Sequence, residues 1–200
     1  MRAGFVRSLP KGSNCIADLF YFKGLDVVVK YCGNRSLDTE FGNMIIRDYF
    51  DIKKILESEG IRVPITYDVF LDRSKRSNLY IVESYMGRSL KKILKEDKRY
   101  INTLVHKSAA FIKSLPQNVP LDTNPGNIVI DSYGEIAFID LIPPNQWKYR
   151  NTEWELSMSK AFKTTSRDFD YPEKQAAYFS TQGRIKRFCK HINNLLIANR

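Results

Sequence analysis

The stretch 119–144, VPLDTNPGNIVIDSYGEIAFIDLIPP, constrains this chain more than any other, because its pattern fits a β-hairpin and little else. Residues 127–131 carry the β-branched core Ile128-Val129-Ile130 between polar ends. Asp131-Ser132-Tyr133-Gly134 is turn chemistry, and 135–139 reads as a second strand with Ile136 and Phe138 on one face. A turn centred on Tyr133 and Gly134 sets Asn127 opposite Asp140, roughly 5 Å away at Cα, and a bulge at Gly134 would move that register by one residue. Asp122 precedes Asn127 across a Thr-Asn-Pro-Gly turn that folds it back toward the same end. Three oxygen-bearing side chains are therefore expected at one place.

Such a gathering suits phosphoryl transfer, in which a hard divalent cation takes a few oxygen ligands and shares the rest of its shell with nucleotide phosphates and water. Asp140 and Asn127 are the natural ligands, and Asp122, displaced from them, is placed to accept or orient the proton of an attacking hydroxyl. The bland alternative is a turn-rich hairpin with incidental acids. The pattern D-x-x-x-x-N, a hydrophobic hairpin and then an aspartate after an apolar strand resembles the catalytic and metal-binding segment of the protein-kinase-like superfamily. It is nearer to the small-molecule branch typified by aminoglycoside phosphotransferases. There the motif is similar to HGD-x-x-P-x-N followed by F-I-D, and Asp122, Pro125, Asn127 and Phe138-Ile139-Asp140 fall on it. Pro120 stands where that family has its histidine, so support for the loop must come from another residue or be absent.

A chain of 200 residues, 43% of them hydrophobic, is long enough for one compact domain or for two small lobes. Cys15, Cys32 and Cys189 are odd in number, widely spaced and without a C-x-x-C, which supports neither a disulfide framework nor a zinc site and fits a reducing cytoplasm. No apolar run is long enough to cross a bilayer and no signal-type segment opens the chain, so a cytoplasmic, unexported protein is expected. The formal net charge of +10 implies an acidic or phosphorylated substrate, with nucleic acid or an anionic membrane surface as further partners to consider.

Taken in order, 3–9, 16–22 and 25–31 read as a three-stranded meander, joined by Pro10-Lys11-Gly12-Ser13-Asn14 and by Lys23-Gly24. Lys30 shares a strand face with Val28 and Cys32, so its ammonium requires a partner. A helix over 38–59 follows, with Phe41, Ile45, Ile52, Ile55 and Leu56 at helical spacing and Asp48 on that stripe. Asp48 is the expected partner of Lys30, and Glu40 is the alternative. Gly60 ends the helix, and strands at 65–71 and 79–85 complete five. Helices are expected at 88–95, 100–115, 172–182 and 184–199. The last should face Ile185, Phe188, Ile192 and Leu195 inward, with Arg184, Lys186, Arg187 and Lys190 outward or near it. His106 reads as a surface or packed histidine, and the DFD of Asp168 and Asp170 receives no catalytic role.

The resemblance implies an α+β, bilobal protein-kinase-like fold: an amino-terminal nucleotide-binding lobe over 1–86, small, antiparallel and five-stranded with one helix, and a short, mainly helical catalytic lobe over 87–200. It implies ATP and Mg2+ as cofactors. Lys30, supported by Asp48, would hold the nucleotide phosphates under the Gly12-Ser13 turn. Glu83 and Tyr85 of YIVESYMG would offer backbone groups to adenine beside Val82. Asn127 and Asp140 would bind the metal, and Asp122 would act on the acceptor hydroxyl. Gly87 and Asp122 lie too close in sequence for the large helical insertion of antibiotic kinases, which leaves compact relatives such as lipopolysaccharide-sugar kinases, or small atypical kinases acting on protein or RNA. Two further classes stay open: a pseudokinase scaffold, favoured by Pro120, the single loop glycine and Asp48; and an RNA-binding module using Trp147, Tyr149 and Trp154 as stacking groups.

Overall fold

The computed structural model describes residues 3–10, 15–32, 39–72, 78–97, 101–117, 119–142 and 177–198, with the side chains of 39–41 excepted. Gly12, Ser13, Trp147, Tyr149, Trp154, Asp168, Asp170 and the first part of the expected 172–182 helix lie outside the described residues. The protein is mixed α+β and divides into two compact units, Met1–Phe50 with Pro64–Tyr85, and Asp51–Val63 with Met86–Arg200.

The first unit holds strands β1 (Gly4–Ser8), β2 (Cys15–Phe22), β3 (Leu25–Cys32), β4 (Thr66–Asp72) and β5 (Asn78–Ser84) in an antiparallel sheet of order β1-β2-β3-β5-β4. Lys23 and Gly24, both at positive φ (49° and 85°), close β2 onto β3 with Phe22 opposite Leu25. Positive φ at both central residues is the hairpin geometry that matches strand twist. Alternation sorts the sheet's faces. Leu19, Val28, Cys32, Leu79 and Ile81 are buried, while the other face carries Phe5 edge-on to Phe20, Tyr31 edge-on to Tyr80, and Phe70 stacked on Tyr80.

Register overturns the expectation of three unpaired thiols. Cys15 stands directly opposite Cys32, with 4.3 Å between Cα atoms, and the two form a disulfide; Cys189 is free and exposed. A 17-residue separation looks unremarkable in sequence, and strand pairing alone makes these two neighbours.

Helix α1 (Thr39–Ser58) buries Ile45, Tyr49, Ile52 and Leu56, a stripe at i, i+4, i+7 and i+11. Tyr49, not Asp48, occupies the inward position: its ring is buried and its hydroxyl lies 2.8 Å from Thr66 Oγ1, whereas Asp48 is half-buried at the stripe's edge. Ile55, expected inward, is exposed. Gly60 at φ 71° terminates the helix, its N–H bonded to the Glu57 carbonyl and that of Ile61 to the Leu56 carbonyl, the paired bonds of a Schellman motif.

In the second unit, β6 (Arg88–Ser89), β7 (Ile128–Ile130) and β8 (Ile136–Phe138) form a small antiparallel sheet accompanied by α2 (Leu90–Glu96), α3 (Ile101–Ser114) and α4 (Thr181–Ala198). The helix expected from Arg88 begins two residues later because Arg88 and Ser89 pair with Ile130 and Val129, and Ser89 then caps α2 by accepting from the Lys92 N–H. Leu90, Leu94, Ile112, Leu115, Leu121, Ile128, Phe138, Leu141 and Phe188 form the core. No helix among the described residues is long and apolar enough to cross a membrane.

The inward stripe of α4 is Arg184, Phe188 and Ile192, spaced by four. Arg184, expected outward or at the edge, is instead completely buried, and Ile185 is half-exposed.

Candidate functional site

The β7–β8 hairpin expected within 119–144 is present, in a register one residue away from the expected one. Ile128 pairs with Phe138 and Ile130 with Ile136, and the Ile139 N–H donates to the Asn127 carbonyl at 3.0 Å. Ile139, rather than Asp140, therefore stands opposite Asn127, and Asp140 is the next residue along. The cause is the turn. Asp131 Oδ1 accepts the N–H groups of both Tyr133 and Glu135 at 2.9 Å, the Asp131 N–H reaches the Glu135 carbonyl, and Gly134 takes φ 80°. These bonds make a five-residue loop centred on Tyr133. Arg62 ties the loop down with a 2.9 Å ion pair to Asp131, and Lys107 donates to the Gly134 carbonyl at 2.8 Å.

At the other end of the hairpin, Asn127 Nδ2 donates to the Asp122 backbone carbonyl at 2.9 Å. This bond fixes the carboxamide and leaves Oδ1 as the end that can ligate a cation. Asn124 shapes the intervening turn: its carbonyl accepts the Asn127 N–H at 2.8 Å and its Oδ1 the Gly126 N–H at 2.9 Å. The Pro125 carbonyl accepts the Lys91 N–H, docking the turn on the start of α2. The turn expected between Asp122 and Asn127 is thus present, with Asp122 and Asn127 bonded to each other and Asp140 following the strand that pairs with Asn127.

Burial pushes the Asp122 carboxyl above the usual carboxylate range, while the charges of Arg187 and His191 and the Asn124 N–H pull it back down. A carboxyl desolvated and faced by specific cations has the electrostatics of a proton-handling group. Arg187 lies over the Tyr178 ring with its guanidinium carbon 3.6 Å from the centroid, and it donates to the Tyr178 carbonyl and, at 3.4 Å, to the Leu121 carbonyl. Burial pulls the Arg187 pKa down, opposed by Tyr178 and Asp122. Arg184 is held without a carboxylate through its two terminal nitrogens, while its buried Nε makes no hydrogen bond among the described residues. Its guanidinium donates to the carbonyls of Leu115 (3.2 Å), Gln117 (3.4 Å) and Val119, and burial followed by the charge of Arg187 pulls its pKa down to about 10. Sequence reading did not find Arg184, Arg187 or Tyr178 as site residues. An arginine at i, i+4, i+8 with Phe188 and Ile192 was the available signal, and a helical wheel that assumes charges face water discards it.

In the first unit, Lys30 Nζ lies 2.5 Å from Glu83 Oε1, with the two side chains 11% and 2% exposed. The side chain of Glu40, the alternative partner, lies outside the described residues. Glu83 was expected to contribute only its backbone. It reaches Lys30 because Lys30 pairs with Ile81 across the β3–β5 ladder, so that Glu83, two residues on, projects from the same face. Tyr85 also departs from expectation: its N–H donates to the Asp26 carbonyl at 3.0 Å and is therefore engaged within the sheet. Val82 opposes Val29 and lies on the face away from Lys30.

Compared with known proteins, the chain matches no family model and no curated sequence.

Proposed function

We propose that this protein is a compact phosphotransferase of protein-kinase-like architecture, in which an ATP–Mg2+ complex donates its γ-phosphoryl group to a hydroxyl of a small-molecule or sugar acceptor. The observation that carries the reading is the hydrogen-bonded link between Asp122 and Asn127 at the end of a hairpin whose second strand leads directly into Asp140. A carboxylate and a carboxamide oxygen are hard donors suited to magnesium, and such an ion would neutralise charge on the transferring phosphoryl group. In this assignment Asn127 and Asp140 hold the metal, Asp122 orients the acceptor hydroxyl and accepts its proton, and Lys30, aligned by Glu83, holds the nucleotide phosphates. The desolvated carboxyl of Asp122 supports its part, since a base with a raised pKa is better matched to neutral pH than a solvated aspartate.

A scaffold that binds nucleotide without transfer is the second reading. Pro120 in place of the family's histidine and the engaged Tyr85 N–H favour it.

Magnesium-ATP turnover, followed as ADP release with a panel of sugar and phosphosugar acceptors, separates the two. Asp122→Asn is expected to lower kcat by about 10²- to 10⁴-fold, the range for loss of a general base, and Asp140→Ala to abolish turnover with the far-UV spectrum unchanged. Wild-type protein that binds ATP yet makes no ADP with any acceptor would establish the scaffold instead.

A further inference from the structure

Asp122 sits in a segment with little regular backbone pairing of its own, and the residues on both sides of it are fastened to one face of α4. The Leu121 carbonyl accepts from Arg187, and Thr123 Oγ1 donates to the backbone carbonyl of Arg184 at 3.1 Å. Upstream, the carbonyls of Leu115, Gln117 and Val119 converge on the Arg184 guanidinium. Thr123 and Arg184 are both completely buried. A guanidinium withdrawn from water and paired with carbonyl dipoles rather than a carboxylate is a costly way to fill a core, and a leucine on this stripe would be cheaper. What the guanidinium provides that leucine would not is a planar fork of donors, able to fix several carbonyls of an irregular strand at once.

We infer that Arg184 is the positioning residue of the 115–123 segment, supplying from α4 the loop support that Pro120 cannot give, with Arg187 and Thr123 pinning the residues adjacent to Asp122. This assignment deepens the phosphotransfer reading and rests on it for its catalytic consequence, but the fastening itself is measurable without turnover. Arg184 acts through the backbone. It orients Asp122, and through the Asp122 carbonyl it orients the carboxamide of Asn127.

The test uses the full chain and three variants, Arg184→Lys, Arg184→Met and Thr123→Val. Amide hydrogen exchange is read at Leu121, Gly126 and Asn127, whose N–H groups are bonded within the segment and the turn that follows it, with the middle of α3 as internal reference. Thr123→Val and Arg184→Met are each expected to speed exchange at those amides by about tenfold or more while α3 is unmoved, with Arg184→Lys intermediate. Magnesium-ATP turnover, referred to the folded fraction read from far-UV signal and α3 exchange, is then expected to fall in kcat with little change in the KM for ATP. Exchange at 121–127 unchanged in both Thr123→Val and Arg184→Lys overturns the inference. Should Arg184→Met fail to fold, the Thr123→Val and Arg184→Lys pair decides. Wild-type protein without turnover defeats the phosphotransfer reading, while the exchange data still settle whether α4 holds the segment.

Discussion

Lys30 and Glu83 are nearly withdrawn from solvent, and the charge of each offsets the desolvation cost of the other. Removing one member of such a pair takes the 2.5 Å partner from a nearly buried charge, so Glu83→Ala is expected to lower folding stability by up to about 3–5 kcal/mol in urea titrations. Replacing both residues, as Lys30→Met with Glu83→Leu, should recover most of that loss while abolishing any nucleotide binding that needs the ammonium. Asp131 gives a pH-dependent counterpart. The bond from the Glu135 N–H, with the Tyr133 N–H and Arg62 adding to it, holds its carboxyl below the usual range. A carboxyl whose folded pKa lies below its unfolded value stabilises the fold fully at pH above the unfolded value, and that contribution disappears as pH falls through the folded one. Asp131→Asn keeps the Oδ1 acceptor and removes the charge. Its melting temperature is therefore expected to depend less on pH than that of the wild type across the acid range, in a series of thermal melts from neutral pH downward. Parallel curves would show that the carboxylate's charge does not contribute.

Among the elements, the β2–β3 ladder carries the disulfide. Closing a loop of this length removes entropy from the unfolded chain worth about 3 kcal/mol, so Cys32→Ser, or reduction of the wild type, should lower stability by that order. Cys189→Ser, at an exposed free thiol, should be neutral. Gly183 marks another close contact. A Cβ there would come within 2.3 Å of the Ala177 carbonyl oxygen and 2.5 Å of that of Tyr178, so Gly183→Ala is expected to cost about 1–3 kcal/mol and to loosen the start of α4, read by exchange at the Arg184 amide. These elements also show what a sequence reader can and cannot see. Among the described residues, order and type of the strands and helices other than β6 followed from period and turn residues, because apolar spacing and Gly or Asp punctuation act locally. The disulfide, the Lys30–Glu83 pair and the one-residue shift at Asn127 depended on register, which side chains such as Asp131 set through bonds that span a loop. Arg184 was missed for a different reason. Its burial is stabilised by carbonyls of 115–119, a segment some 65 positions away, and no local pattern announces it.

At the scale of the whole molecule, the net charge of +10 exceeds what the proposed nucleotide ligand would call for. The proposed phosphotransfer reading assigns only a few side chains to nucleotide and metal, so most of the positive charge is left to act collectively through the field around the protein. Collective attraction to a polyanion releases condensed counterions and weakens steeply with salt, by about 10³- to 10⁵-fold between 50 and 200 mM for 6–10 phosphate contacts, whereas a chelated ligand held by a few short contacts is much less sensitive. Fluorescence anisotropy with a single-stranded RNA 20-mer should accordingly show binding at 50 mM salt that is largely gone at 200 mM, with no dependence on base sequence. The KM for magnesium-ATP, measured over the same salt series, should change by less than about tenfold. RNA affinity that survives 200 mM salt, or that discriminates between base sequences, would mean that aromatic stacking and base contacts add to the charge. The RNA-binding class would then displace phosphotransfer as the first reading of this chain.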